Sequence, residues 1–511
     1  MGATDHDLLK MVLAERLREV FALDPSAMAL EFERDDYSWG DLSAVASAID
    51  VELIRLGVVP GDVVGWVALN VPASVAALAA LLMSQRCAAC INPHMGPVML
   101  TDELRLQRFV AIVAEQSFWE IEGVEQAAKD SGSAALEVAW DGSGWKVSLR
   151  PDLEVVGLGP HRQPMPGVAL ERLSSGTTGP PNRSPVLRDE AVQAIEVGRH
   201  TERSTDSEQL VLRRSPAIIF RPLAHGGGSF SVLMALYSGR PISLHRKFSV
   251  PLLVDAVARH RPKVVSLVPA MIAMVLDTDV PPEALSCLTA VRCGTAPLPP
   301  NMQQQFESKY GVPVLIDYGA TEFGGAAGWS LSDHRQFSAS KRGSVGRAMR
   351  GVELKVVDQT TRDQVTDGAV GLLEVKSERK GGMWFSTRDL ASLDEDGFLF
   401  IHGRADDAIV RGGFKVLPDE VANVLRMHPD VRDAFVVGVP DATLGQVPVG
   451  VIETVPGRPA PDEENLKSFA RAHLTPYQVP VRFKYTDQLP RTVTMKVIRA
   501  EVLAIAEAPG D

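Results

Sequence analysis

Residues 174–186 read SSGTTGPPNRSPV, a loop of hydroxyl and glycine residues that contains no lysine. Ser174, Ser175, Thr177 and Thr178 offer hydroxyl donors, while Gly176 and Gly179 let a ligand approach backbone N–H groups that can cup an anion. The apolar run at 168–170 precedes the loop and a helix is predicted beyond Asp189, so the setting reads strand, loop, helix, as at phosphate sites. The spacing is not that of a Walker A loop, because GxxxxGK[ST] is absent. Taken alone, the stretch reads equally well as a flexible polar loop, and the rest of the chain has to decide.

The chain has 511 residues, 45% hydrophobic and 23% charged, a globular composition with room for about three domains. Its formal net charge of −12 argues against a broad nucleic-acid or anionic-membrane surface and favours small-molecule chemistry. No cationic segment followed by an apolar one opens the chain. Met1 to Asp24 instead reads as an amphipathic helix, with Leu8, Leu9, Val12, Leu13, Leu17 and Val20 on one face. The apolar run from Val71 to Met83 is too short to span a bilayer and is predicted to be a buried helix. Four cysteines, at 87, 90, 287 and 293, are too few for a disulfide scaffold, and the Cys87/Cys90 pair lacks a second pair of zinc ligands. A reducing cytoplasm is the expected setting.

Strand-like and helical runs alternate, which predicts an α/β architecture. Val63–Ala68 leads into an Ala-rich helix, and Val264–Val268 precedes a helix near Pro269. Val352–Val357, Gly371–Val375 and Phe398–Ile401 read as a β-meander with polar turns. A boundary is predicted within Gly403–Val421, followed by a small α+β domain with helices near 418–427 and 462–473 and strands at 435–439 and 450–455.

Several segments occur in an order that resembles the adenylate-forming superfamily of acyl-CoA synthetases, carrier-protein adenylation domains and luciferases. These are the opening loop, IDYGATEFGG (316–325), STRDLASLDEDGFLFIHGRADD (386–407) and LPRTVTMK (489–496), with weaker similarity at YSWGDL (37–42), VVPGDVV (58–64) and GSVGR (343–347). The resemblance covers nearly the whole chain. It implies a large multi-subdomain N-terminal adenylating domain, residues 1–405, and a small mobile α+β C-terminal domain, residues 406–511, carrying a catalytic lysine.

The resemblance also implies roles. Ser175, Gly176, Thr177, Thr178 and Gly179 would grip the ATP phosphates, Thr321 would meet the α-phosphate, and Glu322 would hold Mg2+. Tyr318, Gly319, Gly294, Thr295 and Ala296 would wall the nucleotide and acyl site, while Asp389 and Arg404 would serve the ribose. Lys496 would place its ammonium between the substrate carboxylate and the α-phosphate, as the chief catalytic group alongside Thr321 and Glu322. Asp406 would be the hinge, and Gly412 and Gly413 would line the CoA tunnel. His225, Gly226, Gly227, Gly294, Gly319 and Gly324 would shape the acid pocket.

Two departures stand out. Asn182-Arg183 replaces the Lys-Gly of most relatives, so Arg183 is expected to supply the missing phosphate charge. Met495 stands where relatives commonly carry glycine before the lysine. No acidic residue in FRPLAHGGGSF would hold a substrate ammonium, which favours a non-amino acid. The implied enzyme is an AMP-forming acid–thiol ligase that activates an aryl, cyclic or medium-chain acyl acid with ATP and Mg2+ and passes it to CoA. The alternatives are a stand-alone enzyme loading a carrier protein in trans and a nucleotide-binding regulatory protein. The expected partners are the carboxylic acid and CoA or the carrier, with no nucleic acid and no membrane span, and a homodimer is left open.

Overall fold

The computed structural model describes residues 5–140, 144–173, 183–201, 210–320, 322–366, 368–492 and 495–508. The chain forms two compact units, Met1–Ser266 and Leu267–Asp511.

In the first unit, five parallel strands lie in the spatial order Ala134–Trp140, Ala111–Glu115, Val63–Val67, Cys87–Ile91 and Val168–Leu173. Val63–Val67 and Cys87–Ile91 are buried at every position, as expected of parallel strands covered on both faces. The helix Pro72–Met83 starts with proline at its first turn and is buried almost all round, so its continuous hydrophobicity is that of a core helix. No helix among the described residues is long and apolar enough to cross a membrane. The N-terminal helix runs Asp5–Leu23, and Leu13, Leu17 and Val20 are fully buried on its inner face. A second sheet orders Ala217–Ile219, Ile242–Leu244, Met28–Phe32 and Asp35–Ser38.

The opening loop does not sit between a strand and a helix, as its flanks suggest. Arg183–Leu187 is a strand antiparallel to Val168–Leu173, and Leu173 pairs with Arg183 across the base of the loop. The helix Arg188–Thr201 begins only after that strand. The strand lies at the sheet's edge, where Pro185 can be tolerated without a ladder donor. Five residues containing a proline are too short a pattern to announce it.

In the second unit, Ala290–Cys293 runs parallel to Val314–Ala320, which turns back antiparallel through Gly324–Gly328. The meander is present as Val352–Val357, Gly371–Ser377, Trp384–Leu393 and Leu399–Arg404, all antiparallel. Toward the C-terminus, the long ribbon Val431–Asp441/Gly445–Thr454 takes Arg482–Thr486 as a parallel neighbour. Side-chain alternation divides this ribbon. Val436 and Ile452 join Val421, Leu425 and Leu466 in one core, while Val437 and Val451 join Val502 and Ala506 in another. A small sheet with helices on both faces therefore forms an α+β domain with its own interior.

Candidate active site

The phosphate-loop residues Ser174, Ser175, Gly176, Thr177, Thr178, Gly179 and Asn182 lie outside the described residues, as does Thr321. The loop's anchors are clear. It leaves the carboxyl end of a parallel strand, where open α/β sheets place their ligands. Arg183, at the loop's exit, has a buried side chain whose Nη2 donates to Glu103 Oε1 at 2.5 Å and whose Nη1 lies 3.4 Å from Glu171 Oε2. Its guanidinium also lies over the Phe109 ring, 5.4 Å from the centroid. Arg162 grips Glu171 with both arms at 2.7 Å. The charge expected to face phosphate is thus engaged by two carboxylates, and Arg183 rivets the loop's base to the sheet and to the helix Pro97–Gln107.

His225 caps the helix Gly226–Tyr237, its Nδ1 accepting from Gly227 N at 3.2 Å. Asn70 supports the approach to this helix, accepting from Leu223 N and donating to the carbonyls of Arg221 and His245. Sequence reasoning passed over Asn70, which lies in no motif. Gly226 and Gly227 give room to arginines: a Cβ would meet Arg172 Cδ at 3.3 Å in the first case and Arg221 Nη1 at 2.9 Å in the second.

In the second unit, several predicted residues converge. Tyr318 Oη donates to Asp389 Oδ2 at 2.5 Å, and its ring is tilted against Phe323 at 5.9 Å. Asp389 pairs in register with Arg404 on the neighbouring strand. Burial pushes the Asp389 carboxyl above its usual range despite the Tyr318 hydrogen bond and the Arg404 charge. Burial, followed by the Asp389 charge, drives the Tyr318 phenol upward, so it remains a donor. Gly319 is required here: a Cβ would lie 2.4 Å from the Gly324 carbonyl oxygen, inside the tight return of the hairpin. The loop at Gly294, Thr295 and Ala296 presses on the same strand, since a Cβ at 294 would meet Asp317 O at 2.8 Å. Gly324, in the left-handed region with φ of 76°, forms the turn back.

Arg404 is held by the expected hinge residue. Its Nε and Nη2 each reach an Asp406 oxygen at 2.9 Å, and Arg388 adds a third contact at 3.2 Å. The Arg404 guanidinium, foremost, holds the Asp406 carboxyl down at about 2. Gly412 and Gly413, with φ of 56° and 87°, form the two-residue turn between Ile409–Arg411 and Phe414–Val416, a geometry that glycine adopts without strain.

Lys496 lies within the field of Glu322, an exposed residue, and the two belong to the same compact unit. Burial lowers the Lys496 ammonium below its usual range, and Glu322 offsets part of that. A rate that requires the protonated ammonium should therefore have its alkaline limb below the ordinary lysine range. Glu322→Gln should move that limb lower still, because it removes the carboxylate that favours the charged form. A pH profile of acid-dependent pyrophosphate exchange checks both shifts.

Met495, just before the lysine, has φ of 65°. An unbranched but bulky side chain in the left-handed region costs about 1 kcal/mol, and glycine there removes the cost. Met495→Gly should raise the denaturant midpoint of the C-terminal transition by up to about 1 kcal/mol equivalent, net of glycine's larger unfolded-state entropy. A lower midpoint would show that the methionine side chain contributes more through packing than its backbone loses.

Comparison with known proteins identifies the family. The family described as AMP-binding enzyme matches residues 17–381, and the AMP-binding enzyme C-terminal domain matches 420–496. A 2-succinylbenzoate–CoA ligase of Bacillus pumilus (strain SAFR-032) is 30% identical over 55% of this chain and 59% of its own length. That of Geobacillus kaustophilus (strain HTA426) is 28% identical over 95% of this chain and 96% of its own. The ATP-bound crystal structure of MatB from Rhodopseudomonas palustris superposes with a TM-score of 0.80 at 22% identity, covering 96% of this chain and 98% of that one. With the two family models matched in chain order and a CoA ligase relative aligned over nearly the whole length of both chains, the chain belongs to the AMP-binding enzyme family, the adenylate-forming superfamily, and is acyl-/aryl-CoA synthetase-like.

Proposed function

We propose that this protein is an AMP-forming acid–thiol ligase acting on an aryl, cyclic or medium-chain acyl carboxylic acid, with ATP and CoA as co-substrates. The observation that carries the proposal is the Tyr318 hydrogen bond to Asp389, with Asp389 in register with Arg404, in the same compact unit as Lys496. In the first step a carboxylate oxygen bonds to the α-phosphorus of ATP and the bond to pyrophosphate breaks. Two anions must meet, so neutralising charge and fixed geometry carry the step. Lys496 supplies the ammonium beside the reacting oxygens, and Asp389 accepts from the ribose hydroxyls. In the second step the thiol sulfur bonds to the acyl carbon, AMP departs with the electron pair, and the thiol proton is released.

Among the described residues no three acidic, histidine or cysteine side chains cluster as a resident metal site. Glu322 alone fits an ion that arrives with the nucleotide, and Mg2+ held by one carboxylate and the phosphates would supply further neutralising charge. Support for the aryl class comes from the succinylbenzoate ligases, and FRPLAHGGGSF, which carries no acidic residue to hold a substrate ammonium, supports a non-amino acid. Burial holds the Cys87 and Cys90 thiols up at about 12, so they stay protonated, which suits a reducing cytoplasm. Pyrophosphate release across a panel of aryl, cyclic and medium-chain acids, with CoA present, is the test. Acid-dependent release with acyl-CoA in the mass spectrum supports the proposal. Acyl transfer to a carrier protein with none to CoA would move it to the carrier-loading class, and no release with any acid would sink it.

A further inference from the structure

Lys496 sits at the end of a tight turn whose base is made by one arginine. Arg491 bridges Val497, Met495 N donates to Thr492 O at 2.8 Å, and Thr492 N donates to Lys496 O at 2.8 Å. Lys496 N donates to Thr492 Oγ1 at 3.2 Å. Within the turn, the Arg491 guanidinium points back: Nη1 donates to the Met495 carbonyl at 3.3 Å, and Nη2 to Asp433 Oδ2 at 2.5 Å, with Glu453 Oε2 at 3.5 Å. Asp433 and Glu453 stand on the two long strands of the C-terminal sheet, Val431–Asp441 and Gly445–Thr454.

Those carboxylates are themselves fixed. Arg426 Nε donates to Asp433 Oδ1 at 2.7 Å, and the Leu489 amide donates to Glu453 Oε2 at 2.9 Å. Arg432 lies 3.3 Å from Glu453 Oε1 and also pairs with Asp277, a residue outside the C-terminal domain. Arg426 and Arg491 hold the Asp433 carboxyl below its usual range even though burial pushes the other way. Asp277, Arg432, Glu453 and Arg491 therefore form one chain of charge contacts ending on the peptide that precedes Lys496. That peptide belongs to Met495, the residue in the left-handed region, so without an external hold its geometry would relax first.

We infer that Arg491 is a positioning residue for the first half-reaction, fixing the Met495–Lys496 peptide to the sheet so that the ammonium is presented to the reacting oxygens. This rests on Lys496 being the lysine of that half-reaction. The Arg491 guanidinium is taken up by the Met495 carbonyl, Asp433 and Glu453. Its effect is geometric, and an ångström of misplacement in such a group costs about a hundredfold in rate.

Arg491→Lys keeps one charge on Asp433 but loses the second arm on the Met495 carbonyl. With the panel acid that gives the fastest pyrophosphate release, the variant should lose about 10- to 100-fold in kcat for pyrophosphate exchange. KM for ATP and acid, and thioester formation from the synthetic adenylate, should stay within about threefold. Equal losses in both half-reactions, or an unchanged exchange rate, would overturn the assignment. Lys496→Ala measured in parallel separates the causes: if it too depresses both halves equally, the reading of Lys496 fails and this inference with it. If it is selective for exchange and Arg491→Lys is not, only the positioning role fails.

Discussion

Lys496→Ala should lower acyl-adenylate formation by about a thousandfold while leaving thioester formation from preformed adenylate within about threefold. The magnitude follows from one charge pair. At roughly 4 Å and an effective dielectric near 20, an ammonium beside an oxyanion is worth about 4 kcal/mol. That is about three powers of ten in rate. Selectivity follows from chemistry, because attack of a thiol on an acyl carbon with AMP leaving does not bring two anions together. Pyrophosphate exchange and single-turnover thioesterification give the two numbers separately. A loss shared equally by both would remove Lys496 from the first step. Since the ammonium is already lowered by burial, Lys496→Arg tests the geometry further: it preserves charge but moves it, and should recover only part of the rate.

Arg183→Ala should destabilise the protein by about 3–5 kcal/mol, the usual cost of removing one partner from a buried ion pair. The Arg183, Glu103 and Glu171 side chains are 8%, 4% and 3% exposed, so solvent cannot take over the orphaned charge. Glu171 retains the two-armed hold of Arg162. Glu103 bears the loss, and Arg183→Ala with Glu103→Gln should recover part of it because the unpaired charge goes too. Thermal unfolding should show a drop on the order of 10 °C for the single variant and a smaller one for the double. Unchanged stability with weakened ATP binding would instead return the Arg183 charge to the phosphates.

These two residues mark how far the sequence could be read. Lys496 is the last residue of LPRTVTMK, and Asp389 and Tyr318 lie within equally recognisable segments. For them the linear order singled out the residues, and the tertiary structure holds Tyr318, Asp389, Arg404, Glu322 and Lys496 in one unit. The meander was visible too, as were the C-terminal helices at Pro418–Leu425 and Glu463–His473, because their apolar periods follow one local rule each. Trp384–Leu393, the strand that carries Asp389, escaped notice. Its exposed Trp384 and Phe385 and charged Arg388 blur the period-two pattern.

Arg183 and Arg491 escaped in another way. A guanidinium beside a phosphate loop reads as a phosphate ligand until its partners are known, and Glu103 lies 80 residues away in sequence. Arg491 reads as one more basic residue before a lysine until Asp433 and Glu453, 58 and 38 residues distant, close around it. The sequence by itself determined the family, the α/β class and the small α+β domain, since these rest on local pattern and on motif order. That Arg183 and Arg491 are spent on holding the protein together was decided only by the tertiary structure. Ion pairing depends on distance in space and on the water excluded around it, and neither is written along the chain.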